Sequence, residues 1–137
     1  MSGVHAMPCP EEFFQAYVAT AFWSSNDECD ETGGEPLECN YGLSDIEPEG
    51  FARMRADCDA FYDANRDDLN CDGVTYGPDF GQNGRAGHDF WLTRNHHGTG
   101  YWDGDWPEPQ ATRLTKAAHA YGECDLYVGD DGRIYVG

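Results

Sequence analysis

The sequence predicts an α+β domain, with two or three helices packed on a small antiparallel sheet in the order ααββαββ. Three observations predict it. Apolar residues recur at spacings of three and four along two N-terminal stretches, short runs rich in β-favouring and aromatic residues follow, and a hairpin pattern closes the chain. At 137 residues the chain suits one domain, residues 1–137, carrying an acidic loop at about 26–40.

Each element has a local reason. Pro10 suits a first helical position, Glu11 and Glu12 sit where the helix dipole favours acids, and Phe13, Phe14, Tyr17, Val18, Ala21 and Phe22 form one stripe. A first helix is therefore expected over residues 10–23. Pro48 opens a second, with Phe51, Met54, Cys58, Phe61 and Tyr62 on one face and Arg53, Asp57, Asp59 and Asp63 on others, expected to end near Leu69. Phe90, Trp91, Leu92 and Thr93 favour a strand over residues 88–94; Asn95-His96-His97-Gly98 then reads as a four-residue loop returning through Tyr101-Trp102. Alternation along that strand sets His88, Phe90, Leu92 and Arg94 on one face and Asp89, Trp91 and Thr93 on the other, so His88 and Asp89 should point apart. Leu114, Ala117, Ala118 and Tyr121 mark a short third helix stopped by Gly122. Leu126-Tyr127-Val128, a turn over residues 129–132, and Ile134-Tyr135-Val136 form the final hairpin.

Charge limits what such a domain can bind. Twenty-six Asp and Glu face eight Lys and Arg, a formal net charge of −18, well beyond the roughly 2 to 8 units expected of a small domain. Such a field repels phosphate, which argues against direct binding of nucleic acid or an anionic membrane and for a basic partner. The excess is uneven along the chain: residues 1–50 hold eleven acids and no Lys or Arg. No stretch is long and apolar enough for a membrane span, and the N-terminus lacks the pattern of a secretory signal, so a cytoplasmic setting is expected. There the six cysteines, Cys9, Cys29, Cys39, Cys58, Cys71 and Cys124, should remain thiols; no C-x-x-C pair points to zinc.

The run Ala86-Gly87-His88-Asp89-Phe90-Trp91-Leu92-Thr93-Arg94-Asn95, followed by Gly98, Gly100, Tyr101, Trp102 and Asp103 and later by Tyr127-Val128-Gly129-Asp130-Asp131-Gly132, resembles a group of small acidic proteins encoded by tailed bacteriophages. Phe22-Trp23-Ser24-Ser25, Glu35-Pro36-Leu37 and Asp45-Ile46-Glu47-Pro48 resemble the same group. The resemblance covers most of the chain outside residues 67–85 and departs at His96-His97, where the pattern implies one histidine. It implies a phage origin and a host-cytoplasmic setting, and it carries no catalytic residue over. Small, very acidic phage proteins of this kind are expected to act as inhibitors that imitate nucleic acid or occupy a basic groove of a host protein.

Three sets of residues could carry function. The first is the acidic run Asp27, Glu28, Asp30, Glu31, Glu35 and Glu38, expected to stay solvated and to engage a basic surface of a host protein. The second is Asp68-Leu69-Asn70-Cys71-Asp72-Gly73 with Asp79 at the twelfth place. It resembles a calcium loop in offering oxygen ligands from Asp68, Asn70, Asp72 and Asp79, although its last ligand is Asp and not the bidentate Glu. The third is the polar cluster His88, Asp89, Arg94, His96, His97, Asp103 and Asp105, which could hold a transition metal or supply a general base, or could simply fix the hairpin against the acidic helices. No nucleophile or substrate pocket accompanies it. The leading expectation is thus a non-enzymatic binding or inhibitor protein without cofactor; the alternative is a metal-binding module or metal-dependent enzyme using the Asp68–Asp79 loop or the histidines. A third reading has the charge serving solubility alone. Trp91, Trp102, Trp106 and Tyr101 should mostly be core, with Trp106, beside Pro107 and Pro109, the ring expected at the surface.

Overall fold

The structure is a computed structural model that describes residues 8–25, 36–76, 78, 81–97 and 99–137. Five helices precede one hairpin among these residues: α1 (Glu11–Ser24), α2 (Pro48–Ala64), α3 (Arg66–Leu69), α4 (Gln82–Arg94), α5 (Gln110–His119), β1 (Leu126–Val128) and β2 (Ile134–Val136). The class is α+β as expected. The order is not ααββαββ, because one predicted hairpin is a helix.

That helix is α4. Phe90, Trp91, Leu92 and Thr93 have β-favouring side chains, yet the segment is buried on several sides at once, at Ala86, Gly87, Asp89, Phe90, Trp91, Leu92, Thr93 and Arg94. A half-buried strand shows alternation; a helix enclosed by neighbours shows none, and tertiary packing overrides weak β propensity. The main neighbour is α1. Gly87 allows their close approach, since a Cβ there would collide with the Phe13 carbonyl oxygen.

The other elements follow their local signals more closely. The Phe13 and Phe14 N–H groups donate to the Pro10 carbonyl at the start of α1. Glu47 caps α2, its carboxylate accepting from the Glu49 and Gly50 N–H groups at 3.1 and 2.6 Å. The second helix does not run unbroken to Leu69: it stops at Asn65, whose side-chain amide donates to the Phe61 carbonyl, and α3 begins afresh at Arg66. The final hairpin is antiparallel with Leu126 opposite Val136, Tyr127 opposite Tyr135 and Val128 opposite Ile134. β2 is tied back to the helices by the Glu47 N–H, which donates to the Ile134 carbonyl at 2.9 Å.

The core is aromatic. Phe61 of α2 stacks on Phe90 of α4 at 4.0 Å between centroids, with Phe13, Tyr17, Tyr101 and Tyr121 around them. Trp106 belongs to this core, correcting the expectation that it is exposed: its indole N–H donates to the buried Asp89 carboxylate at 2.7 Å, which satisfies both polar groups inside. Trp102 is the ring at the surface, 53% exposed. Cys9, Cys39, Cys58, Cys71 and Cys124 carry free thiols. Among the described residues no helix is long and apolar enough to cross a membrane.

Candidate functional site

Of the six acids singled out in the sequence, Asp27, Glu28, Asp30, Glu31 and Glu35 lie outside the described residues, and Glu38 is exposed in a short 3-10 turn (Leu37–Cys39). The two ends of that acidic run are held together. Leu37 is fully buried, and its N–H donates to the Ser25 carbonyl at 2.8 Å, closing the base of the segment directly after α1. Further exposed acids are spread over most elements: Glu11 and Glu12 on α1, Glu49 and Asp63 on α2, Asp67 on α3, Glu108 before α5, and Glu123, Asp125, Asp130 and Asp131 around the hairpin. Among the described residues the negative charge is therefore a coat, not a single patch.

The cations are largely used internally. Arg55 pairs with Glu11 at 3.0 Å and with Asp59 at 3.8 Å, Arg66 with Asp63 at 3.2 Å, Arg94 with Asp57 at 3.0 Å, and Arg113 with Asp68 at 2.6 Å. Arg85 lies 3.8 Å from Asp89 and 3.9 Å from Asp105. Arg53, Lys116 and Arg133 make no ion pair within 4 Å with a described residue.

The Asp68 loop has its first oxygen donor occupied. Arg113 grips both Asp68 carboxylate oxygens, at 2.9 and 2.6 Å, and these hydrogen bonds hold the Asp68 carboxyl below its ordinary value. The Asn70 side-chain amide donates to the Tyr62 hydroxyl and the Arg66 carbonyl. Asp72 is exposed, and Asp79 lies outside the described residues. A calcium ion at Asp68 would have to displace Arg113. No group of three or more His, Cys, Asp or Glu placed to hold a metal ion occurs among the described residues.

The predicted hairpin cluster is dispersed by the helical path of α4. His88 and Asp89 do not point apart: His88 Nδ1 lies 2.9 Å from Asp89 Oδ1, because consecutive helical side chains diverge far less than those on opposite faces of a strand. Trp23 covers the His88 ring at 6.1 Å between centroids. His96, with φ of 57°, stacks instead on His119 at the end of α5, 4.3 Å away, and His97 faces a different space. Asp103 accepts from the Gly100 N–H, and the Asp105 carboxyl is raised by burial and by the neighbouring Asp103. Arg94 anchors α4 to the acidic second helix through Asp57, the kind of ion pair its position suggested.

One concavity stands out, and residue patterns gave no sign of it. A cleft of about 650 Å³ opens between the end of α1 (Ser24, Ser25), the end of α4 (Trp91, Asn95, His97) and the stretch from Glu123 to Val128. Glu123 and Asp125 supply carboxylates to it, and Trp91 is fixed in its wall by an indole N–H bond to the Ser24 hydroxyl at 2.9 Å. Only folding brings residues 24, 91 and 125 together. Comparison with protein-family models, curated proteins and solved structures finds no match.

Proposed function

We propose that the chain is a non-catalytic acidic protein of phage origin that engages a basic surface of a host protein, its carboxylates standing in for the phosphates of nucleic acid. One observation carries the reading: the chain has a net charge of −18, and the fold spends five of its seven arginines in ion pairs with its own carboxylates. A charge of that size destabilises a compact body by self-repulsion, so its retention favours a role in attraction. Rows of carboxylates draw a cationic groove in at long range and then occupy it. The acidic run Asp27, Glu28, Asp30, Glu31, Glu35 and Glu38, the densest group of carboxylates in the sequence, is the part we assign to such a groove.

The test is a salt titration of binding to basic, nucleic-acid-binding host proteins. Affinity should fall about tenfold or more between ~50 and ~300 mM salt. It should also fall when Asp27, Asp30, Glu28, Glu31, Glu35 and Glu38 are replaced by Asn and Gln. Affinity that stays flat with salt and with these replacements overturns the reading.

A further inference from the structure

The hairpin has two faces, and they differ. Leu126 and Ile134 are buried in the core, so the period-two alternation of a strand sends Tyr127 and Tyr135, opposite each other in the register, to the outer side. Their rings stack with 5.8 Å between centroids and an interplanar angle of 19°. Glycines make room for them: a Cβ on Gly129 would collide with the Tyr135 ring, and one on Gly137 would come within 3.2 Å of the Tyr127 ring. Tyr135 is also pinned at its far end, its hydroxyl donating to Asp131 Oδ2 at 2.7 Å. Tyr127 is left 52% exposed, a large ring that the fold holds in place without covering. A concavity of about 460 Å³ opens between the two rings, Gly129, Asp130 and Asp131. Asp130 and Asp131 are exposed at its rim, and Asp125, also exposed, shares the outer face with Tyr127 two residues on. Against these three carboxylates the hairpin sets one cation, Arg133, just before β2.

We infer that this outer face is a docking site for an arginine side chain of the basic partner. The chemistry of rings and carboxylates together selects that occupant. A tyrosine ring carries negative potential on its face and attracts a cation lying over it. A guanidinium is planar and weakly hydrated, so it stacks on the ring while its N–H groups, directed in its own plane, remain available to carboxylates. Asp131 is already engaged by the Tyr135 hydroxyl and the Arg133 N–H, which leaves Asp125 and Asp130 to receive the guanidinium. An ammonium would gain the charge and lose the stacking, and a phosphate would be repelled by all three carboxylates. The inference rests on the proposed basic partner and names one contact by which that partner is held.

The probes are short peptides that alternate glycine with arginine, with lysine, or with citrulline, which keeps the shape of arginine and lacks its charge. The arginine peptide should bind and shift the Tyr127 and Tyr135 ring resonances, the lysine peptide should bind about threefold or more weakly, and the citrulline peptide should not bind. Tyr127→Leu should weaken the arginine peptide about threefold or more and erase its preference over lysine, whereas Tyr127→Phe should keep both. The D125N/D130N variant should weaken it further than E49Q/D67N, an equal change of charge on α2 and α3. Equal binding of the arginine peptide and either of the others, or an affinity and preference unchanged in Tyr127→Leu, overturns the site and leaves the electrostatic reading standing. If no peptide binds while a basic protein does, the site is overturned alone; if neither the peptides nor the basic protein binds, both readings fall.

Discussion

Two buried charges lie five residues apart on α4 and do different work. Arg94, 1% exposed, gives its guanidinium hydrogens to Tyr17 and Asp57 and to the Tyr121 and Gly122 carbonyls, partners 27 to 77 residues away, and sits over the Phe90 and Tyr121 rings. Asp89, equally buried, is held by His88 next to it, by Arg85 one turn back and by Trp106, only 17 residues on. The cation joins α1, α2, α4 and the turn that follows α5. The anion organises one loop. A planar group with five donors can serve several acceptors at once, whereas a carboxylate only accepts, so in a chain short of cations the few arginines inside become junctions.

Substituting Arg94 should break this contrast most visibly. Arg94→Met leaves Asp57, the Tyr17 hydroxyl and two carbonyls without their donor, and a loss of about 3–5 kcal/mol in urea unfolding is expected. Arg94→Lys should recover only part of it, because an ammonium cannot reach all four acceptors in one plane. A loss of stability near zero for Arg94→Met would mean that the junction is dispensable.

Asp89→Asn sharpens the comparison from the other side. It keeps an acceptor for the Trp106 indole and removes the charge, so a loss of about 1–3 kcal/mol is expected. Faster hydrogen exchange should be confined to the loop around Tyr101, whose N–H donates to Thr93 Oγ1 and whose hydroxyl donates to the Ala86 carbonyl. Exchange that quickens equally in α1 and α2 would show that Asp89 is as global a tie as Arg94.

The smallest effect concerns the thiols and phenols buried in the core. Burial pushes the Cys58, Cys124, Tyr17 and Tyr101 groups up, and burial together with Asp59 pushes Cys9 up to about 12. All of these are neutral when protonated, so the folded state holds protons that the unfolded chain releases above its ordinary thiol value near 9. Their contribution is complete below that pH and is lost as pH rises towards 12. Urea midpoints should therefore fall between pH 8 and pH 10.5, and fall less steeply in Cys58→Ala. A midpoint that stays level across this range would place these groups in water instead of in the core.

Some of this was legible in residue order. The stripe of Phe13, Phe14, Tyr17 and Val18, the Pro48 helix start and the turn between Val128 and Ile134 are local signals, and each yields its element. Residues 88–94 were misread for a physical reason: β-branched and aromatic residues favour strands only weakly, and nothing in the order of residues reveals that α1 lies against Gly87. The same holds for Trp106, whose neighbouring prolines suggest a surface loop while its indole N–H seeks a carboxylate 17 residues back. Of the candidate sites, the histidines were grouped by proximity along the chain and are separated by a helix that turns them in different directions. The cleft was invisible because its walls come from three distant stretches.

By itself the sequence determined the charge, the helix starts, the closing hairpin and the aromatic supply of the core, because each depends on composition or on contacts within a few residues. Tertiary structure alone decided that residues 82–94 are helical, that Asp68 is held by Arg113, and that Ser24, Trp91 and Asp125 come to line one cleft. Those outcomes depend on which distant surfaces meet, and burial energies summed over such meetings exceed the few tenths of a kcal/mol, roughly, by which local propensities differ.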